Sequence, residues 1–311
     1  MNKLIVLTGP TGVGKTALSI SLAKRLNASI ISADSMQVYK YMDIGTAKIM
    51  KEEMQGVDHY LVDCLMPDDE FNVARFKDMA EEAIDEIYKE GKLPIIVGGT
   101  GFYIQALLKS VDFDDSKGES KIRAELIAFA NEKGNEALFN RLKEIDPVSA
   151  SRIHPNNVKR VIRAIEFYME SGMPISSHND KEMDKESKYD YRYFVLTNER
   201  ELLYKNIELR IDKMLEAGLV DEVKSIMDMG YSRDLVSQQG LGYKEIWSYL
   251  LGESSLDEAV DILKRDTRHF AKRQLTWFRR EKDVIWLDKQ IYKDDEALLN
   301  EILNNIKEWN M

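Results

Sequence analysis

The sequence is nearly free of cysteine. Its 311 residues include one, Cys64, which leaves no disulfide partner and too few thiols for a structural zinc site. Long apolar runs are absent too: no stretch could cross a bilayer, and the short run after Lys3 is too brief for a signal peptide. There are no repeats or low-complexity tracts. We therefore expect a cytoplasmic globular protein without zinc or a membrane anchor.

Positive charge is also scarce overall. The formal net charge is −10, which argues against a polyanionic partner. Residues 264–282 reverse this balance with eight Lys or Arg against two acidic residues. At helical spacing four of these cations share one face: Arg265, Arg268, Lys272 and Arg279. Aromatic residues lie between them, as in helices that bind nucleic-acid backbones, although an ordinary amphipathic helix with its cations in water has the same pattern.

The amino-terminal region carries a phosphate-binding signature. A short apolar strand pattern at 4–8 leads into the spacing G-x-x-x-x-G-K-[ST] and then into a helix-forming run at 17–26. The signature consists of Gly9, Pro10, Thr11, Gly12, Val13, Gly14, Lys15 and Thr16. In such a loop, backbone N–H groups and the helix dipole attract phosphate. We predict a site for a di- or triphosphate, with Lys15 as its cation and Thr16 as a ligand of Mg²⁺.

Strand and helix patterns alternate along much of the chain. Apolar strand patterns occur at 28–32, 60–65, 93–97, 191–197 and 284–287, and helical patterns include 73–90 and 296–309. Between residues 116 and 171 only helical periodicity remains. These patterns predict an α/β fold: a P-loop NTPase-like parallel sheet flanked by helices, with an inserted all-helical subdomain. We place the core domain at 1–114 and 190–311 and the insertion at 115–189.

Three local patterns make predictions for the second half of the chain. Residues 178–190 are densely charged and nearly free of aliphatic side chains, which predicts a mobile connector. Asn198 and Glu201 have the spacing of a capping box and predict a helix start at Asn198. Ser255 and Glu258 have the same spacing and predict the start of the long basic helix.

Polar residues follow two of the predicted strands. The strand at 28–32 leads to Asp34, which would either position Mg²⁺ or accept a proton from a nucleophile; position alone favours neither. Gln37 either pairs with an adenine edge or is a solvated residue at a helix start. The strand at 93–97 ends in a second glycine turn with Thr100, where a P-loop ATPase would carry an acidic metal ligand. Asp63 is the other candidate for that ligand, so phosphate binding is better supported than ATP hydrolysis.

Six sequence blocks, taken together, resemble the tRNA dimethylallyltransferase (tRNA isopentenyltransferase) family, in its shorter bacterial form without a zinc finger. They occur in family order at residues 9–16, 31–48, 97–108, 157–166, 239–246 and 267–280. The resemblance implies a prenyltransferase that moves a dimethylallyl group from dimethylallyl diphosphate to N6 of adenosine 37. The substrates would be tRNAs that read codons starting with U, and diphosphate would be the second product.

The resemblance also implies residue roles. The P-loop would bind the donor diphosphate in place of ATP, Arg210 would steady that diphosphate, and Asp34 would be the general base. Lys15, Thr16 and Thr100 complete the expected catalytic set, with Mg²⁺ as the cofactor. The tRNA-contacting positions would be Asp34, Ser35, Met36, Gln37, Thr100, Arg123, Lys159, Arg160, Val161, Ile162 and Arg163. Arg268 and Lys272 join them from the cationic face described above.

Two other functions use the same phosphate site. A small-molecule or nucleoside kinase would bind ATP there, but it would also need an arginine-rich lid and an acidic metal ligand after a strand. A non-catalytic RNA-binding protein with a nucleotide switch would give Asp34 and Thr100 no task. Incubation with labelled dimethylallyl diphosphate and tRNA, and then with labelled ATP and nucleosides, distinguishes the three functions. Only the prenyltransferase predicts label in the tRNA.

Overall fold

A computed structural model describes residues 2–109, 121–183 and 185–310. Contacts between Cα atoms divide the chain into two compact units. The core unit comprises Met1–Leu107 and Tyr189–Met311, and the helical unit comprises Leu108–Lys188. The sequence-based boundary between residues 114 and 115 falls at 110–120, outside the described residues.

Within the described residues, the core unit contains one six-stranded sheet in which all paired strands are parallel. The strands are β1 (Asn2–Thr8), β2 (Ala28–Ala33), β3 (His59–Tyr60), β4 (Leu93–Gly98), β5 (Tyr189–Thr197) and β6 (Val284–Asp288). Their order is β3-β2-β4-β1-β5-β6. The predicted α/β fold with a parallel sheet is confirmed.

Helices make up most of the remaining chain. They are α1 (Lys15–Leu26), α2 (Val73–Lys89), α3 (Gly101–Leu108), α4 (Lys121–Lys133), α5 (Asn135–Ile145), α6 (Pro147–Arg152), α7 (Val158–Ser171), α8 (Ile175–Met183), α9 (Arg200–Glu216), α10 (Leu219–Asp228), α11 (Tyr243–Leu250), α12 (Leu256–Phe278) and α13 (Asp295–Asn310). Strand β1 is buried from Leu4 to Thr8, as expected for a central parallel strand covered on both faces.

Strand register brings three loops to one edge of the sheet. Thr8, the last residue of β1, pairs with Gly98 at the end of β4, and Gly98 also pairs with Ala33 at the end of β2. The P-loop, the segment that starts at Asp34 and the second glycine turn follow these three strands directly. They therefore share the carboxyl edge, where open α/β sheets bind ligands.

The helical unit has its own apolar core. Helices α4, α5 and α7 contribute buried side chains that include Leu126, Leu138, Leu142, Val161 and Ile165. Asp146 caps α6, and its carboxylate accepts hydrogen bonds from the backbone and hydroxyl of both Ser149 and Ser176. These contacts join α6 to the first turn of α8 within the unit.

Two local predictions, a strand and a connector, are wrong. The strand expected at 60–65 stops at Tyr60, because Leu61 and Asp63 have left-handed backbones (φ 59° and 56°) that end the extended ladder. The connector expected at 178–190 is largely regular: α8 runs to Met183, and β5 begins at Tyr189. The Asp146 contacts that anchor the first turn of α8 are distant in sequence, so local composition missed them.

The two expected capping boxes have different outcomes. Helix α9 begins at Arg200 with Glu199 as its N-cap, and the Asn198 side chain bonds only the next backbone N–H. The capping box at Asn198 is therefore wrong, because the helix starts one residue later than its spacing requires. The box at Ser255 and Glu258 is confirmed by both of its hydrogen bonds.

Candidate active site

Two cavities lie at the carboxyl edge of the sheet and share part of their walls. The loop cavity, about 410 Å³, is lined by P-loop residues that include Lys15 and Thr16. The apolar cavity, about 320 Å³, exposes mainly apolar surface, although polar residues such as Lys244 and Arg273 also line it. The residues common to both walls are Thr11, Asp34, Thr46, Arg210 and Phe270. A ligand with a charged end and an apolar end would therefore occupy adjoining spaces.

Lys15 is held across the P-loop at the start of α1. Its ammonium group donates to the carbonyl oxygens of Gly9 (2.9 Å) and Pro10 (3.0 Å), which leaves its third N–H for another acceptor. Burial and the neighbouring Arg210 cation lower the pKa of Lys15 to about 7, while the Asp34 carboxylate opposes the shift. The loop thus keeps a poorly solvated cation whose charge a bound anion would stabilise.

Arg210 adds a second cation from helix α9. Its Nη1 donates to the Thr11 hydroxyl at 2.9 Å, so the side chain reaches the P-loop although 199 residues separate the two. Burial lowers the pKa of Arg210, and the Asp34 carboxylate opposes that shift. Two cations, Lys15 and Arg210, and the Asp34 carboxylate therefore line the loop cavity, which favours an anionic ligand.

Asp34 is fixed by a local turn. Its Oδ1 accepts from the backbone N–H groups of Met36 (2.9 Å) and Gln37 (3.3 Å). Within the described residues no hydrogen bond reaches its second oxygen, Oδ2. Because Asp34 lines both cavities, that oxygen is available to a proton donor held at their junction.

Gln37 has its carboxamide already engaged. Its Nε2 donates to the carbonyl oxygens of Thr46 (3.3 Å) and Ala47 (3.1 Å), and its Oε1 accepts from the Ser32 hydroxyl (3.3 Å). It lies in a turn and not at a helix start. The side chain thus holds the segment that carries Thr46, while Ser35 and Met36 line the apolar cavity.

The second glycine turn places Thr100 beside Asp34. The Thr100 N–H donates to the Ala33 carbonyl at 3.2 Å, and the Thr100 carbonyl accepts from the first turn of α3. Thr100 lines the apolar cavity, whereas the P-loop lysine lines only the loop cavity.

Asp63 is not a metal ligand near the P-loop. Its carboxylate accepts from the buried Lys48 ammonium at 2.8 Å, and Lys48 also bonds Asp43 at 2.6 Å. Neither cavity wall includes Asp63. Among the described residues there is no cluster of three or more His, Cys, Asp or Glu that could hold a metal ion.

Helix α12 contributes a face to the site that sequence reasoning missed. Five of its residues line the cavities: Arg273, and four at the spacing i, i+4, i+7, i+11, which are Leu263, Thr267, Phe270 and Gln274. The spacing was visible in the sequence, but the conspicuous cations of the same helix drew attention to another face. Gln274 is buried and bonds both glycine loops.

The cationic face of α12 points away from the cavities, since it lies about half a turn from Gln274 at 100° per residue. Arg268 on this face pairs with Glu208 of α9, and Lys264 beside it pairs with Asp212. Lys272 is exposed. Contact between Arg268 or Lys272 and tRNA stays a prediction.

The other expected tRNA contacts lie in the helical unit. Lys159 and Arg160 are exposed, while Arg123 and Arg163 bond the buried Glu166 carboxylate at 2.6 and 3.6 Å. Val161 and Ile162 are respectively 0% and 5% exposed and belong to the core of the unit. The expected side-chain contacts from Val161 and Ile162 are therefore wrong, because the helical period turns them inward.

Comparison with known proteins connects this geometry to a family. Residues 37–281 match the family model described as IPP transferase, and residues 5–61 match that of the ATPase family associated with various cellular activities. A tRNA dimethylallyltransferase of Lachnoclostridium phytofermentans is 61% identical over 99% of this chain and 98% of its own length. The chain belongs to the tRNA dimethylallyltransferase family.

Solved structures agree with this membership. A tRNA isopentenylpyrophosphate transferase of Bacillus halodurans is similar with a TM-score of 0.74 and 46% identity, over 99% of this chain and 98% of that one. A eukaryotic dimethylallyltransferase, solved acting on tRNA, has a TM-score of 0.78 and 32% identity over 93% and 74% of the two chains. The protein is thus a prenyltransferase enzyme of this family. None of the described helices has the length and apolar character needed to span a membrane.

Proposed function

We propose that this tRNA dimethylallyltransferase family member transfers the dimethylallyl group of dimethylallyl diphosphate to the exocyclic N6 of adenosine 37. Its substrates are tRNAs that read codons starting with U, and diphosphate is the second product. We propose a cytoplasmic location for the enzyme, because its tRNA substrates are found there. The kinase and nucleotide-switch alternatives have no specific support in the site.

The joined cavities are the observation that carries this proposal. The loop cavity offers Lys15, Arg210 and loop amides to a diphosphate, while the apolar cavity offers a hydrophobic wall. That wall includes Ile207, Ile211, Met214, Leu241, Leu263 and Phe270. A nucleoside triphosphate would instead place a polar ribose beside this wall. A short branched hydrocarbon attached to a diphosphate fits both environments.

The donor end stabilises the leaving group. As the allylic C–O bond breaks, positive charge builds on the five-carbon group and the bonding electron pair leaves with the diphosphate. Lys15 and Arg210 are held by Gly9, Pro10 and Thr11 before reaction, so little reorganisation opposes their electrostatic stabilisation of that anion.

The acceptor end removes a proton. The N6 amine is a poor nucleophile because its lone pair is delocalised into the purine ring. Asp34 Oδ2 accepts the N6 proton while the new C–N bond forms, and Oδ1 stays fixed by its two backbone N–H donors. Adenosine 37 must leave its stack to reach Asp34, so we propose that the base is flipped.

The proposed Mg²⁺ site fits a metal bound mainly through substrate oxygens. Thr16 supplies a hydroxyl to the loop cavity, a hard ligand suited to Mg²⁺. One such group is too few to hold the ion alone, which agrees with Mg²⁺ carried by phosphate and water. When bound, the ion would neutralise part of the diphosphate charge.

The remaining residue roles belong to tRNA binding. We propose that Ser35, Met36 and Thr100 contact the flipped base at the apolar cavity, with Gln37 ordering this wall. Phosphate contacts come from exposed cations: Lys159, Arg160 and Lys272, with Arg123, Arg163 and Arg268 contributing from their ion pairs.

The test uses two radiolabelled donors. The protein is incubated with labelled dimethylallyl diphosphate and unmodified tRNA, and in parallel with γ-labelled ATP and either nucleosides or tRNA. We expect label from the first donor in tRNA, lost when adenosine 37 is replaced by guanosine, and no transfer of the ATP label. Phosphoryl transfer without prenyl transfer would establish a kinase and refute the proposal.

A further inference from the structure

One side chain of α12 connects both glycine loops of the site. Gln274 Oε1 accepts from the Thr11 backbone N–H of the P-loop at 2.9 Å. Its Nε2 donates to the Gly99 carbonyl of the second glycine turn at 3.0 Å. The residue is 7% exposed, so water does not readily replace either bond.

Helix α12 packs closely against the second glycine turn around this carboxamide. A Cβ atom on Gly99 would overlap the Gln274 Nε2, and a Cβ on Gly101 would overlap the indole ring of Trp277, which is one turn further along α12. Two successive turns of the helix thus rest directly on the backbone of the second glycine turn. The absence of side chains at Gly99 and Gly101 is what permits this approach.

The two loops have different tasks in the proposed reaction. The Thr11 hydroxyl accepts a hydrogen bond from Arg210 and the Thr11 N–H donates one to Gln274, so the donor end is anchored at that residue. Its N–H is therefore committed to Gln274, and the diphosphate must be bound by other groups of the loop. On the other side, Gly99 precedes Thr100, whose N–H bonds the residue before Asp34.

We propose that Gln274 is a positioning residue that sets the donor-binding P-loop relative to the acceptor-binding turn. This inference rests on the proposed function and adds a residue to it. A carboxamide is required because its oxygen must accept from the Thr11 N–H while its nitrogen donates to the Gly99 carbonyl. Small errors in this alignment matter, since a misplacement of about 1 Å can cost about 10²-fold in rate.

Two variants separate the two hydrogen bonds. Gln274→Met has nearly the same length and removes both bonds. Gln274→Glu, as a carboxylate, retains an acceptor for Thr11 but turns an oxygen toward the Gly99 carbonyl. Gln55→Met is the matched control, because Gln55 is exposed and its carboxamide accepts from Lys24 at 2.7 Å, on the surface of the core unit.

The measurements are single-turnover transfer, tRNA affinity, thermal unfolding and hydrogen exchange at the Thr11 amide. We expect Gln274→Met and Gln274→Glu to slow single-turnover transfer by about 10- to 10²-fold, with tRNA affinity within about twofold of the parent. Exchange at Thr11 should accelerate in Gln274→Met and stay slow in Gln274→Glu. The Gln55→Met control should match the parent throughout.

A purely structural role for Gln274 predicts another pattern. It would lower the unfolding temperature but leave the transfer rate per folded molecule within about twofold of the parent, and this result would overturn the proposal. Slow exchange at Thr11 in Gln274→Met would equally refute the anchoring bond. The exchange experiment needs no tRNA, so it still decides this point if the parent protein failed to modify tRNA, which would refute the proposed function instead.

Discussion

The proposed donor end and the proposed acceptor end of the site are assembled in different ways. At the donor end, Lys15 bonds carbonyls five and six residues before it, so one contiguous segment makes most of the site. The acceptor end combines Asp34 with Thr100 and with side chains of α9 and α12. The contiguous loop can therefore be recognised as a sequence motif. The residues of the acceptor end come together only when the sheet aligns its strands, so no motif identifies them.

This contrast makes the two ends separable by mutation. Changes at the donor end should weaken diphosphate binding and transfer without affecting tRNA affinity. Changes at the acceptor end should slow the chemical step while both substrates stay bound. Variants that mix these effects would show that the two ends act as one unit.

The largest effect is expected at Asp34. The Asp34→Asn variant keeps the shape and one hydrogen-bond acceptor but cannot take the N6 proton, so single-turnover transfer should fall by about 10²- to 10⁴-fold. Asp58→Asn is the control, because Asp58 is exposed and pairs with Lys92. A Mg²⁺ titration completes the experiment, since recovery of near-normal rate at high Mg²⁺ would identify Asp34 as a metal ligand and not the base.

The next largest effect is expected at Lys15. Removing one preorganised cation in Lys15→Ala should cost about 3–4 kcal/mol of transition-state stabilisation, or about 10²- to 10³-fold in rate. Filter binding should show tRNA affinity unchanged, because in the proposed reaction the lysine contacts the diphosphate and not the RNA. Lys24→Ala, an exposed change on the same helix, should behave like the parent. Parallel loss of tRNA affinity and activity in Lys15→Ala would contradict the assignment.

A smaller effect follows from the lowered pKa of Lys15, about 7. Below pH 7 the ammonium is largely protonated, and above it the charge is progressively lost, so diphosphate affinity should fall as pH rises from 7 to 9. Because one proton is involved, the diphosphate affinity can fall by at most about tenfold per pH unit. Calorimetry with inorganic diphosphate measures this, and Lys15→Met corrects for titration of the ligand itself. Equal pH dependence in both proteins would exclude Lys15 as the titrating group.

The smallest effect concerns the cationic face of α12, which lies outside both cavities. Each phosphate contact removed by Arg268→Ala or Lys272→Ala should lower the log–log salt slope of tRNA binding by about 0.7–0.9. Donor affinity should be unchanged in both variants. The exposed Lys51→Ala serves as the control. An unchanged slope in both α12 variants would show that this face is solvated and does not contact tRNA phosphates.

The errors of sequence reasoning have identifiable physical origins. Leu61 and Asp63 interrupt a predicted strand through left-handed backbone angles that β-propensity does not encode. Asp146 fixes the first turn of α8 from 30 residues away, so residues 178–183 of the predicted connector are helical. In these two cases a backbone angle or a distant contact outweighed local composition. Val161 and Ile162 differ, because their place in the core follows from local helical spacing within a basic stretch.

By itself, the sequence determined the phosphate loop, the parallel α/β fold and the family, because each depends on contiguous motifs or on periodic apolar patterns. Only the tertiary structure decided which face of α12 lines the site, that Arg210 reaches Thr11, and that Gln274 bonds both glycine loops. The physical reason is the strand register, which pairs Gly98 with both Thr8 and Ala33. That register brings three loops from distant parts of the chain to one edge, and no local pattern specifies it.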